Sequence, residues 1–119
     1  MTKIMLVEDD STMRSLLKTL IDLEGFETYT IGAMQADDLI SSIANNRPAA
    51  LLLDVHLQST NGLDVLQKIR QHPQLDHLPV AMISGEDLAA ECLSAGADKF
   101  ILKPFDTDEL INWLKKVSQ

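Results

Sequence analysis

Five short apolar runs, each followed by a stretch with helical periodicity, constrain this chain more than any other feature. Lys3 to Val7, Glu27 to Ile31, Ala50 to Leu53, Val80 to Ile83 and Lys99 to Leu102 read as strands. Between the first two, Met13, Leu16, Leu17, Leu20 and Ile21 mark one face of a helix, with Ser11 as its expected N-cap and Gly25 as its end. Leu39, Ile40 and Ile43 face inward on a helix expected over Met34 to Ala44. Leu63, Leu66 and Ile69 serve a third helix starting near Gly62, and a short helical stretch is expected over about Asp87 to Ser94. The last helix carries Leu110, Ile111, Leu114 and Val117, and Asp106 and Glu109 before them have capping-box spacing.

Alternation of strand and helix implies an α/β sandwich around a mostly parallel sheet, with right-handed crossovers. Ala50 to Leu53 is an unbroken apolar run, as a strand covered on both faces requires. At 119 residues, one domain over residues 1–119 is the expected organisation.

Charge narrows the function. Eighteen carboxylates against ten Lys and Arg give a net −8, which argues against direct contact with nucleic acid by this chain. No apolar run is long enough to span a bilayer, and the first stops at Glu8-Asp9-Asp10, too soon for an export signal. Cys92 has no partner for an internal disulfide and reads as a small buried side chain, consistent with a reducing, cytoplasmic setting.

In an open parallel sheet the reactive crevice lies at the carboxyl ends of the strands. There the chain places Glu8, Asp9 and Asp10 after the first run, Asp54 at the end of the third, Ser84 after the fourth and Lys103-Pro104 after the fifth. The second run offers only Gly32. Clustered carboxylates raise one another's pKa unless a cation neutralises them. Magnesium takes such hard oxygen ligands, and Lys103 adds a fixed positive charge. Each residue also has a plainer reading: Glu8 and Asp9 as helix-capping anions, Ser84 as a turn residue, Lys103 as a solvated charge. Asp54 resists one, because an acid directly after Leu51-Leu52-Leu53 is semi-buried and needs a partner.

At these residues the chain resembles the receiver domain of two-component response regulators. Met5 to Arg14 looks like that family's acidic-pair opening, Leu51-Leu52-Leu53-Asp54 like its phosphoacceptor strand, and Gly62 like the glycine opening its next helix. Ile83-Ser84-Gly85 matches its hydroxyl switch position, and Gly96 to Phe105 its final signature. The resemblance implies a doubly wound five-stranded parallel sheet of flavodoxin-like, CheY-like type, order 2-1-3-4-5, with helices on both faces. It implies that Asp54 takes a phosphoryl group from a phosphohistidine of a sensor histidine kinase or phosphotransfer protein, or from a small acyl phosphate. Asp9, Asp54 and the backbone carbonyl of His56 would bind Mg2+, with Glu8 acting mainly through metal-bound water. Lys103, preceding a cis proline, would pair with Asp54 and then with its phosphate. Ser84 would donate to the phosphoryl group and Phe100 would fill the space Ser84 vacates. The chain would then be a regulatory phosphoacceptor rather than an enzyme, assisting its own Mg-dependent phosphorylation and dephosphorylation. It would act on an output partner or domain that the sequence does not name, with no role at a membrane; a homodimer is left open.

Two departures from the family pattern stand out. Gln58 occupies a position usually held by proline, and the stretch between Ser84 and Gly96 is about one helical turn short. The second makes it unsafe to carry over the family's output or dimer face. His56, whose ring would stand near the path of an attacking water, is expected to tune phosphate lifetime. Zinc is disfavoured because His56, His72 and His77 have no supporting cysteines. A phosphatase of the haloacid dehalogenase type would want an acid where His56 stands, and a flavin binder would not place Glu8 to Asp10 in its phosphate loop. The remaining alternative is a non-phosphorylated pseudo-receiver acting as a protein-interaction module.

Overall fold

The computed structural model describes residues 2–32 and 34–118. Strands β1 (Lys3–Val7), β2 (Glu27–Ile31), β3 (Ala50–Asp54), β4 (Val80–Ser84) and β5 (Lys99–Leu102) alternate with helices α1 (Ser11–Leu23), α2 (Ala36–Asn46), α3 (Gly62–Gln71), α4 (Ala89–Ser94) and α5 (Thr107–Val117). All strand pairs are parallel and the order is β2-β1-β3-β4-β5, as the resemblance implied.

Strand alternation sorts the apolar residues into two cores. Met5, Val7, Leu51, Leu53, Val80 and Met82 face α2 and α3, where Leu39, Ile43, Val65, Leu66 and Ile69 meet them. Ile4, Leu6, Leu52, Ala81, Ile83 and Ile101 face α1 and α5, through Leu17, Ile21, Leu110, Ile111 and Leu114. Every residue of β3 and β4 is buried, which is why these two strands read as continuous apolar runs. Cys92 packs in the first core, and that burial, with Glu91 beside it, pushes its thiol pKa up.

Local details correct several expectations. The N-cap of α1 is Asp10, whose carboxylate accepts from the Met13 amide at 2.9 Å; Ser11 is already helical. Leu16 is 52% exposed, because Leu17 and Ile21, four residues apart, point at the sheet and Leu16 lies about 100° round the helix from Leu17. Helix α2 begins at Ala36, two residues after Met34, and runs to Asn46. Helix α4 has six residues and starts at Ala89 rather than Asp87. Asp106 does cap α5, accepting from the Asp108 amide at 2.9 Å. The Lys103–Pro104 peptide is cis.

At the edge of the sheet away from the strands' carboxyl ends, Arg70 binds the loops together. Its guanidinium donates to the carbonyls of Gly96 (2.9 Å), Leu78 (2.8 Å) and Asp76 (3.3 Å) and to Asp98 Oδ2 (3.0 Å). Gly96, with φ +109°, turns the chain from α4 into β5 in a conformation that disfavours other residues, against the Arg70 side chain.

Candidate functional site

The carboxyl ends of β1, β3, β4 and β5 bring Glu8, Asp9, Asp54, Ser84 and Lys103 to one edge of the sheet. Register explains their level. Val7 pairs with Leu53, Asp54 with Ile83, and Ser84 with Leu102, so each functional residue ends its strand or comes within two residues of its end. The Lys103 amide then donates to the Ser84 carbonyl at 2.8 Å, extending the ladder by one residue and carrying the lysine over the crevice.

Lys103 Nζ lies 3.0 Å from Glu8 Oε1 and 3.2 Å from Asp54 Oδ2. Glu8 is only 3% exposed and Asp54 6%. Asp54 Oδ1 accepts from the His56 amide at 3.0 Å, so both oxygens of this carboxylate have partners. Burial, then a hydrogen bond and the negative charge from Asp54, push Glu8 up to about 7, against the pull of Lys103. Burial works to lower the Lys103 ammonium, but the hydrogen bond to Glu8 and the Asp54 and Glu8 charges outweigh it and hold it above its ordinary value.

Asp9 stands at the mouth. Its Oδ2 accepts from the Gln58 amide, which ties the loop after β3 to the loop after β1. Its Oδ1 is buried and has no hydrogen-bond partner. Among the described residues, no three His, Cys, Asp or Glu side chains form a group able to hold a metal ion by themselves. That does not conflict with magnesium, which is usually bound through one or two carboxylates and keeps several waters. An orphaned carboxylate oxygen on Asp9, on the same sheet edge as the nearly buried Asp54 and Glu8, is the donor chemistry a hard divalent cation takes, so the residues fit the ion.

Ser84 is fully buried, and its hydroxyl oxygen accepts from the Glu86 amide at 3.0 Å. Phe100, on β5, is partly buried against the core that faces α2 and α3. The His56 ring is exposed, and its Nε2 lies 3.1 Å from Glu86 Oε1, across the mouth between the loops after β3 and β4. Gly62 backs onto the site: a Cβ there would come within 2.3 Å of the Asp54 carbonyl oxygen.

Sequence reasoning did not assign roles to Arg14 or Glu86. Arg14 Nη1 donates to the carbonyls of Glu8 (2.7 Å) and Asp9 (3.3 Å). One signal for it was available: a cation in the first turn of a helix opposes the helix dipole and needs another reason to be there. Glu86 carries no comparable signal, since an acid in a surface loop is ordinary. A separate hollow of about 560 Å³, lined by Ala44, Pro48, Leu75 and Leu78 among others, contains none of the acid–lysine cluster.

The family model of the response regulator receiver domain matches residues 4–115. The chain is 33% identical over 116 residues to the phosphate regulon transcriptional regulatory protein PhoB of Rhizobium meliloti, covering 95% of this chain and 50% of that protein. It is 37% identical over 121 residues to the transcriptional regulatory protein CpxR of Escherichia coli K12, covering 98% of this chain and 49% of that protein. The chain thus spans about half the length of the curated relatives it matches. Among solved structures, response regulator TrrA of Thermotoga maritima, in complex with Mg2+ and BeF, superposes with a TM-score of 0.85 at 25% identity, covering 98% of this chain and 99% of that one.

Proposed function

Because the chain belongs to the response regulator receiver domain family, we propose that Asp54 is the residue on which it takes a phosphoryl group from a sensor histidine kinase or phosphotransfer protein. Receipt of a phosphoryl group from a sensor kinase is what this family does in two-component signalling, and its domain is a regulatory phosphoacceptor. The observation that carries the residue assignment is Lys103 Nζ bridging Glu8 and Asp54 at the carboxyl edge of the sheet.

One carboxylate oxygen of Asp54 forms a bond to phosphorus while the bond from phosphorus to the donor imidazole nitrogen breaks. The imidazole leaves with the electron pair. Asp54 needs no general base, because the carboxylate is already the nucleophile. Phosphoryl transfer asks the protein for positioning and charge neutralisation. Lys103 supplies part of the second, moving its ammonium from a carboxylate partner to a phosphate one. Three carboxylates and one lysine leave the ionised cleft net negative, and transfer turns the Asp54 carboxylate into an acyl phosphate of about −1.5 to −2 charges, making the cleft more negative by about half to one charge. Asp9, Asp54 and the His56 carbonyl would hold magnesium, with Glu8 acting through water, and the ion would supply the positive charge this balance lacks; TrrA is a relative described with Mg2+.

Switching arises from the new charge. The Ser84 oxygen accepts from the Glu86 amide, which leaves its own proton free to donate to a phosphoryl oxygen. A hydrogen bond to a charged group contributes about 1.5–3 kcal/mol. With the Lys103 contact this approaches the ~5.5 kcal/mol that inverts a 1:99 equilibrium. Inward movement of Ser84 opens room for Phe100, which is only partly buried. The presence of Glu8, Asp9, Asp54 and Lys103 together favours a phosphorylated receiver over a pseudo-receiver. A cytoplasmic setting beside the kinase accords with this reading; among the described residues, no helix is long and apolar enough to cross a membrane. The output partner or domain lies beyond these side chains, and the six-residue α4 sets it apart from a simple carry-over.

Incubation with acetyl phosphate and Mg2+, followed by intact mass, tests the assignment. One added phosphoryl mass is expected on the native chain and none on Asp54→Asn. No added mass at any Mg2+ concentration, or equal labelling of the variant, would overturn it.

A further inference from the structure

We infer that Arg14 is a positioning residue: its guanidinium, laid against Gly32, holds the Glu8–Asp9 turn in the shape that lets the turn's carboxylates take a divalent cation. The inference rests on the magnesium reading above and goes beyond it by naming what shapes the acidic turn.

The side chains of the turn between β1 and α1 are tied to the Gln58 amide (Asp9), the Met13 amide (Asp10) and Lys103 (Glu8), but its backbone has few holds. The Glu8 amide donates to the Ile31 carbonyl at 3.0 Å, and the Asp10 carbonyl accepts from the Arg14 amide at 2.9 Å. The carbonyls of Glu8 and Asp9 lie past the strand ladder and before the helix. A single nitrogen, Arg14 Nη1, reaches both, at 2.7 and 3.3 Å. Gly32, just past β2, leaves room for it: a Cβ there would stand 2.9 Å from Nη1 and 3.6 Å from Cζ. Arg14 is therefore placed by the end of β2 and in turn places the end of β1. Outer groups that orient ligands are commonly worth 10–100-fold in metal affinity.

Charge and position predict opposite signs. A guanidinium near a cation site repels the cation, so if charge were its main effect, removing Arg14 would tighten Mg2+ binding. If it positions the turn, removing it loosens binding. Gly32→Ala separates the two, because the new methyl displaces the guanidinium while the charge remains.

Calorimetric titration of the full chain with Mg2+, with a thermal melt of each variant, tests this. Asp9→Asn should lose Mg2+ binding. Arg14→Ala and Gly32→Ala should each weaken it about tenfold. Arg14→Lys, which keeps the charge and one donor nitrogen, should recover part of the loss, a pattern that loss of stability alone would not produce. Should Arg14→Ala fail to melt as a folded protein, Gly32→Ala and Arg14→Lys still decide. Native binding with loss in Asp9→Asn, but unchanged or tighter binding in the Arg14 and Gly32 variants, overturns the inference and leaves the magnesium reading standing. No Mg2+ binding by the native chain overturns both.

Discussion

The Lys103 ammonium reaches from the end of β5 across β4 to the end of β3, where it lies 3.2 Å from Asp54 Oδ2. The same nitrogen touches Glu8, so one cation serves two nearly buried carboxylates. Lys103→Met leaves both acids without their counter-ion. Removing one partner of a fully buried pair costs about 3–5 kcal/mol. Here the lysine side chain is about a quarter exposed, so a loss of about 1–3 kcal/mol is expected in metal-free buffer at neutral pH. Urea unfolding measures it. Labelling by acetyl phosphate should slow on the order of a hundredfold, as when a single stabilising donor is removed. A variant as stable and as readily labelled as the native chain would contradict both parts.

Glu8 gives the metal-free protein a pH dependence of definite sign. Its pKa is raised from 4.5 to about 7 by burial and by Asp54. Between those values the folded chain keeps a proton that the unfolded chain has lost. Its contribution to stability is fully present below about pH 4.5 and is lost as pH rises through about 7. One pKa unit corresponds to about 1.4 kcal/mol, and water in the open cleft reduces the total to about 1–2 kcal/mol. Other groups titrate in the same window, so the readout is a difference. With EDTA present, Glu8→Gln should lose less stability than the native chain between pH 5 and 7.5. Parallel curves would count against the raised value.

Much of this was legible in the sequence for a physical reason. A parallel strand covered on both faces must be apolar throughout, so Leu51 to Leu53 and Val80 to Ile83 could not be confused with surface segments. The cluster was legible because the reactive edge of such a sheet is known before its geometry is, and the residue just past each apolar run must stand on that edge. Less legible were choices between adjacent residues of similar chemistry. Asp10 and Ser11 are both good caps, and only the backbone at Asp10 decides between them. Leu16 fits a helical stripe as well as Leu17 does, but the stripe that meets the sheet is narrower than the apolar arc. Arg14 and Arg70 were hidden for a different reason: their hydrogen bonds go mostly to backbone carbonyls, which residue types do not reveal.

Gly62 is where the end of β3 tolerates no side chain. A Cβ there would meet the Asp54 carbonyl oxygen at 2.3 Å and Val55 Cα at 2.8 Å, both backbone atoms with little freedom to move. The Gly62 amide also donates to the Val55 carbonyl at 2.7 Å, which fixes the approach. Gly62→Ala should therefore destabilise by about 1–3 kcal/mol and displace Asp54 with its strand end. A melting curve and the acetyl phosphate labelling rate should fall together. Native labelling in a destabilised variant would separate the helix start from the site.

Arg70 is predicted to set the stability of the opposite edge. Arg70→Met keeps much of the stem but strips donors from the carbonyls of Leu78 and Gly96 and from Asp98. The loss should be about 2–4 kcal/mol, since hydrogen bonds to charged groups contribute about 1.5–3 kcal/mol each and partial hydration returns some of it. Hydrogen exchange should quicken first at the Gly96, Ala97 and Asp98 amides, which lead into β5. Uniform acceleration across the sheet would show instead that Arg70 acts on global stability alone.

The His56–Glu86 contact should act on chemistry and leave stability nearly untouched. The two side chains are 51% and 70% exposed, so their 3.1 Å contact adds at most about 1 kcal/mol. Its location matters more. The His56 amide donates to Asp54 Oδ1 at 3.0 Å and the Glu86 amide to Ser84 Oγ at 3.0 Å, so the pair spans the mouth between Asp54 and Ser84. A strap there would shield an acyl phosphate on Asp54 from water. His56→Asn and Glu86→Gln should each shorten the lifetime of the phosphorylated chain about two- to tenfold, with melting temperatures close to native. Intact-mass time courses after removal of acetyl phosphate give the decay directly. Decay at the native rate in both variants would assign the contact to the surface and leave water access to the loop backbone.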